Sequence, residues 1–239
     1  MYFNSDKKYY VQVSVIIPAY NEEKFIGSVL GSVPRGYETI VVNDGSTDKT
    51  EQIAKRFTNV RVISHPKKLG KGAALKTGIK NSTSDVLVFI DGDGQFDSSE
   101  IPRLVDLIQK KDVSLVLGFR DFSMIPLRRR ITNELSRFAI WLITNKKFRD
   151  PLIGFRAVSK NCIRQIELKR NDFGTETEML IKFKKIGCRI EEIPVSVNYN
   201  SNKSYFGILD GVKLVCFLFR MFLSNLFGWY FLKIKSMRS

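Results

Sequence analysis

The stretch Val86-Leu-Val-Phe-Ile-Asp-Gly-Asp-Gly-Gln95 decides how the rest of the chain is read. Its five leading apolar residues, mostly β-branched or aromatic, form a short buried strand. The strand runs straight into Asp91-Gly92-Asp93. Two carboxylates this close raise each other's pKa or recruit a cation. Paired hard oxygen ligands suit Mg2+ or Mn2+, and Mg2+ is held by one or two carboxylates together with substrate phosphates. Gly92 lets a diphosphate approach the backbone, and ligands of open α/β sheets bind at the carboxyl ends of the strands. Asp-Gly is also a turn signal, so the triplet alone leaves a metal–diphosphate site and a solvated turn both open.

On the N-terminal side, Val11–Ile17 forms a first strand ended by Pro18, and Asn21 is the expected N-cap of a helix over Glu22–Val33. Strands follow at Glu38–Val42 and Val60–Ser64, with a helix over Lys49–Phe57 between them. Gly70-Lys-Gly72 opens a helix over Ala73–Lys80. Beyond the central strand come a helix over Glu100–Lys110 and a strand over Val113–Leu117 that ends at Gly118-Phe-Arg120. Alternation of this kind implies a parallel, doubly wound sheet. Each strand ends in a polar or glycine-rich turn, so Asp44, Lys71, Asp91, Asp93 and Arg120 converge on one edge. A nucleotide sugar needs such an array: a carboxylate for base or ribose, a metal for the diphosphate and a cation beyond it. The glycine spacing of a P-loop is absent, as is Gly-x-Gly-x-x-Gly, which argues against a dinucleotide cofactor.

The chain has 239 residues and a formal net charge of +15. The excess points to an anionic partner: nucleic acid, a lipid surface or phosphorylated substrates. No nucleic-acid-reading motif accompanies it, and much of the basic charge flanks apolar helices. Cys162, Cys188 and Cys216 have neither metal spacing nor a disulfide framework, which fits a reducing compartment. His65, the single histidine, lies in a lysine-rich loop and reads as surface structure.

Four motifs in order resemble family 2 inverting glycosyltransferases of the GT-A fold. They are Val15-Ile-Ile-Pro-Ala-Tyr-Asn-Glu-Glu23, Ile40-Val-Val-Asn-Asp-Gly-Ser-Thr-Asp48, Gly70-Lys-Gly-Ala-Ala74 and Phe89-Ile-Asp-Gly-Asp-Gly-Gln95. Gly118-Phe-Arg120, Arg128–Arg130, Asp150-Pro-Leu-Ile-Gly-Phe-Arg156 and Phe173-Gly-Thr-Glu-Thr-Glu-Met-Leu180 look like the dolichyl-phosphate mannose/glucose synthase branch. The resemblance implies an α/β fold with a mostly parallel sheet flanked by helices. It implies a catalytic domain over 1–205 and a C-terminal segment over 206–239. Pro18, Tyr20, Glu22, Asp44, Lys71 and Asp91 would bind the nucleotide-sugar donor. Asp91, Asp93 and Gln95 would hold Mg2+ or Mn2+. Arg120, Arg129 and Lys203 would hold an acceptor phosphate, with Asp93, Arg120 and Arg129 as the catalytic set. The chain departs from the family in having Asn43-Asp44 for Asp-Asp and Asp-Gly-Asp for the commoner Asp-Ala-Asp.

The implied reaction is inverting transfer of a hexose, from a donor of the GDP-mannose or UDP-glucose class, to a polyprenyl (dolichyl) phosphate. A phosphate monoester is largely ionised at neutral pH, its second pKa being about 6, and needs arginines rather than a general base. A sugar-hydroxyl acceptor, the alternative, needs a positioned carboxylate. Glu176 and Glu178 fall where such a base would lie, but they read better as acids complementing a helix N-terminus over Thr175–Lys185. Residues 206–232 are rich in Phe and Leu, with Asp210, Lys213, Arg220 and Ser224 as a polar stripe. Phe217, Leu218 and Phe222 belong to the apolar surface. The pattern suits an amphipathic helix lying on an anionic membrane, which would place the protein peripherally on the cytoplasmic side; a core helix or a dimer contact stays open for the same segment.

Overall fold

The computed structural model describes residues 12–111, 113–121, 127–198, 214, 216–219 and 221, with backbone alone at 111 and 127–132. In chain order the elements begin with β1 (Val13–Ala19), α1 (Ile26–Ser32), β2 (Glu38–Asn43), α2 (Thr50–Ala54) and β3 (Val60–Ser64). Next come α3 (Lys71–Asn81), β4 (Val86–Phe89), α4 (Ile101–Lys111), β5 (Leu115–Phe119) and α5 (Leu127–Thr144). The last are β6 (Arg156–Ser159), α6 (Lys160–Ile163), α7 (Thr175–Lys185) and β7 (Ile190–Pro194). A seven-stranded sheet has the order β3-β2-β1-β4-β6-β5-β7. All neighbours are parallel except β6, which runs antiparallel to both β4 and β5. The carboxyl ends of β1, β2, β4 and β5 therefore share one edge with the start of β6.

Burial explains which runs became strands. Every residue of β1 and β4 is buried, as continuous apolar runs covered on both faces must be. β3, at the sheet edge, is only half-buried. The main core joins β1 and β4 to Leu75 of α3, Leu104 of α4, Ile140 of α5 and Leu180 of α7.

Several expectations change. β1 continues through Pro18 to Ala19. Residues of β1 alternate between neighbours: Ile16 accepts from Ile90 N on the β4 side, and Ala19 accepts from Asp44 N on the β2 side. Pro18 thus faces β4, whose pairing stops at Ile16, so its missing N–H costs no ladder bond. Asn21 is not the cap of α1. It has φ +56°, and α1 begins only at Ile26 behind Phe25. β6 was not legible, because a four-residue strand opening on a buried arginine carries no alternation signal.

Cys162 and Cys188 are joined as a disulfide, linking α6 to the approach to β7. The expectation of unpaired thiols is corrected, and the reducing compartment inferred from it loses its footing. The 26-residue separation gave no local motif to betray the pair. At the C-terminus, Leu214 and Leu218 are buried in the main core, and Phe217 packs against it. For Phe217 and Leu218 the lipid-facing reading is corrected; Asp210, Lys213, Arg220, Phe222 and Ser224 lie outside the described residues. Among the described residues no helix is long and apolar enough to cross a membrane.

Candidate active site

The loops after β1 and β2 are stitched to each other. Asn21 N donates to Ser46 Oγ (3.0 Å), and Asn21 Oδ1 accepts from Thr47 N (2.8 Å). Glu22 N donates to Thr50 Oγ1 (2.7 Å), while Asp48 Oδ2 accepts from Glu23 N (3.1 Å). The Asn-Glu-Glu and Ser-Thr-Asp motifs are therefore two halves of one scaffold. Pro18, Tyr20 and Glu22 follow from its first half. Lys68 Nζ lies 3.9 Å from the centroid of the Tyr20 ring.

Asp44 is buried at the end of β2. Its Oδ1 accepts from Leu69 N (2.9 Å) and its Oδ2 from Gly70 N (2.8 Å). His65 Nδ1 lies 2.8 Å from Asp44 Oδ1, and His65 Nε2 lies 2.9 Å from Thr77 Oγ1. His65 is thus an internal strut rather than surface structure. Asp44 and His65 together hold the loop that delivers Lys71.

Lys71 opens α3 and reaches Asp91 Oδ1 (2.6 Å) and Glu176 Oε1 (2.8 Å). Burial alone would favour the neutral amine, but the two carboxylates more than offset it and hold the ammonium above its ordinary range. Glu176 sits in the first turn of α7, buried. Burial raises its carboxyl, and Lys71 opposes that rise. Beneath the pair, Arg156 is fully buried. Its Nε donates to Ile153 O (3.1 Å) and its Nη1 to Glu176 O (2.9 Å). Close approach requires two glycines here. A Cβ on Gly72 would collide with Thr175 Oγ1, and one on Gly154 with the Asp91 carboxylate.

Asp93 lies beside this cluster and accepts from Gln95 N at 2.9 Å. Burial, and then the Asp91 charge, push its carboxyl up to about 6. Lys71 and Arg156 balance Asp91 and Glu176, so Asp93 is one negative charge in excess. A divalent cation would relieve that excess, so the residues fit Mg2+ or Mn2+. No cluster of three or more His, Cys, Asp or Glu side chains able to hold a metal occurs among the described residues. Asp91 and Asp93 would then supply only part of the shell, the remainder coming from diphosphate and water.

On the far side, Arg120 is clamped by Asp150: Nε to Oδ2 at 2.6 Å and Nη2 to Oδ1 at 3.0 Å. The structure brings Asp91, Lys71 and Glu176 into contact and places Asp93 and Arg120 on the same sheet edge. Gln95 meets Asp93 through its backbone amide. The Arg129 side chain and Lys203 lie outside what is described. Glu176, Arg156, Asp150 and His65 are the residues that hold the predicted site residues in place and that sequence reasoning undervalued. Three of them sat inside quoted motifs or the base region; no pattern marked His65. Glu178 stays structural: Lys182 and the amides of Lys169 and Arg170 hold its carboxyl below the ordinary range despite burial.

Fold and site define an α/β protein of the GT-A type, with a cluster of charged side chains at the strand ends. The chain belongs to glycosyl transferase family 2, whose pattern matches residues 14–168. It is 31% identical to an uncharacterized protein of Methanocaldococcus jannaschii over 90% of this chain and 93% of the other. It is 30% identical to a UDP-N-acetylglucosamine–dolichyl-phosphate N-acetylglucosaminyltransferase of Methanococcus voltae, covering 84% of this chain and 92% of that one. Glucosyl-3-phosphoglycerate synthase of Mycobacterium tuberculosis superposes with a TM-score of 0.74 at 25% identity, covering 89% and 80%. That enzyme was crystallised with Mn2+, UDP-glucose and phosphoglyceric acid.

Proposed function

We propose that the protein transfers one hexose, with inversion, from a nucleotide sugar to a polyprenyl phosphate at a membrane surface. The observation that carries this reading is the state of Glu176. The carboxylate at the position for a general base is buried and ion-paired to Lys71. A base must reach the acceptor proton, whereas an ionised phosphate oxygen attacks the anomeric carbon without one. The dolichyl-phosphate acceptor named for the Methanococcus voltae relative supports the same assignment.

In this reading Pro18, Tyr20 and Glu22 line the nucleotide pocket, and Asp44 serves it through the loop it holds. Asp91, Asp93 and Gln95 would hold Mg2+ or Mn2+, which would supply charge neutralisation for the diphosphate of the donor. Lys71 faces the same diphosphate while fixing Asp91. Arg120, kept in place by Asp150, and Arg129 and Lys203 orient the acceptor phosphate. The phosphoglycerate of the structural relative favours a second reading, a hydroxyl acceptor on a phosphorylated molecule.

The test is incubation of purified protein and Mn2+ with a polyprenyl phosphate and, separately, GDP-mannose, UDP-glucose and UDP-N-acetylglucosamine. A glycosyl-phosphoryl lipid detected by mass with one donor, and absent with Asp93→Ala, is expected. Absence of any lipid product while nucleotide sugar still binds would transfer the assignment to a hydroxyl acceptor.

A further inference from the structure

We propose that Arg170 is a positioning residue for the Lys71–Asp91–Glu176 cluster, and that Phe217 of the C-terminal segment sets it, so that docking of that segment tightens the site. The linking piece is the loop over residues 169–174, between α6 and α7. On its outer side, the Arg170 guanidinium lies 4.5 Å from the centroid of the Phe217 ring. Residues 216–219 are helical, with Leu218 buried in the core and Phe217 half-buried against it. On its inner side, the same loop holds both helix starts that deliver the charged cluster.

Arg170 Nε donates to Asp172 Oδ1 (2.7 Å), and its Nη2 donates to Oδ2. Asp172 Oδ1 in turn accepts from Gly174 N (3.0 Å). The Asp172 carbonyl accepts from Thr175 N (3.2 Å) and Thr175 Oγ1 (2.9 Å). Those bonds begin α7 and place Glu176 in its first turn. Toward α3, Asn171 O accepts from Ala73 N (3.2 Å), and the Phe173 ring centroid lies 5.8 Å from Lys71 Nζ. The fit leaves no slack: a Cβ on Gly174 would collide with the Arg170 side chain, and one on Gly70 with Asn171 O. A shift at Arg170 is therefore passed to both helix starts. The Arg170 and Asp172 side chains are 20% and 32% exposed, and a part-exposed ion pair holds its geometry weakly by itself. The Phe217 ring over the guanidinium keeps water off one face and adds a cation–π attraction. Arg170 is thus fixed by Asp172 and Phe217 together, and the second of these belongs to the C-terminal segment.

The geometry stands apart from the choice of acceptor; its effect on turnover rests on the glycosyl-transfer reading, and the test keeps the two separate. Hydrogen exchange of the full chain, read by mass spectrometry, follows residues 70–76 at the start of α3, with β1 as reference. Phe217→Leu keeps the apolar bulk and removes the ring. It should exchange residues 70–76 at least about threefold faster with β1 unchanged. Phe217→Tyr, which keeps the ring, should restore the parent rate. The F217L/R170Q double variant should exchange no faster than Arg170→Gln alone, because the ring acts through the guanidinium. A parent-like Phe217→Leu, an equal loss of protection in β1, or additive effects in the double variant would each overturn the proposal. In transfer to polyprenyl phosphate, Phe217→Leu should raise the donor KM at least about threefold and leave the acceptor KM unchanged, with Phe217→Tyr like the parent. A change confined to the acceptor KM also overturns it. Absence of transfer by the parent sinks the acceptor reading alone, since the exchange measurement involves no acceptor.

Discussion

Asp93 shows what an active-site carboxylate costs the fold. Its carboxyl is pushed up to about 6, above the ordinary value of 3.8. A raised pKa means the folded state binds the proton more tightly, so the charge destabilises the metal-free protein as pH rises from about 4 to about 6. The penalty is complete above that window and amounts to about 3 kcal/mol at most. Asp93→Asn should therefore raise the Tm of metal-free protein at pH 8 and leave it nearly unchanged at pH 4, by calorimetry. Saturating Mn2+ should stabilise the parent and not the variant. Glu176 is tested by rate. With a phosphate acceptor, Glu176→Gln should lower kcat by less than about tenfold, because a base is not needed; a base role would cost 10² to 10⁴. Comparing the pH profiles of the two proteins checks this, since only loss of a base removes an acid limb.

At the scale of elements, the N-termini of α3 and α7 meet at Gly72 and Thr175. Gly→Ala inside a helix ordinarily stabilises by up to about 1 kcal/mol. Here the new Cβ would collide with Thr175 Oγ1 and with the backbone at Asn171. Gly72→Ala should instead destabilise by about 1–3 kcal/mol, read as a lower midpoint in urea. Activity should fall with it, because the same contact aims Lys71 at Asp91 and Glu176. Helices α3, α4 and α7 were legible, and α7 spans Thr175–Lys185 as the pattern implies. Their ends were less so. α1 starts four residues later than its expected Glu22, because Asn21 and Glu23 bond to the β2–α2 loop instead of capping a helix.

For the whole molecule, the described residues of the C-terminal segment divide into inward and outward ones. Leu218 is 3% exposed and its neighbour Phe219 60%. Leu218→Ala should cost about 2–5 kcal/mol and Phe219→Ala under about 0.5 kcal/mol, measured by chemical denaturation. A protein in which 206–239 merely lies on lipid would show no such contrast. The sequence by itself determined the alternating α/β plan, the family and the edge at which Asp44, Lys71, Asp91, Asp93 and Arg120 gather, because these depend on local periodicity and on turns at strand ends. Only the tertiary structure decided that β6 runs antiparallel and that Arg156 lies beneath Glu176. It also decided that Asp150 clamps Arg120, that His65 braces Asp44, and that Cys162 meets Cys188. Each of these joins residues far apart in the chain, and nothing in a local pattern encodes which distant groups a packed core will press together.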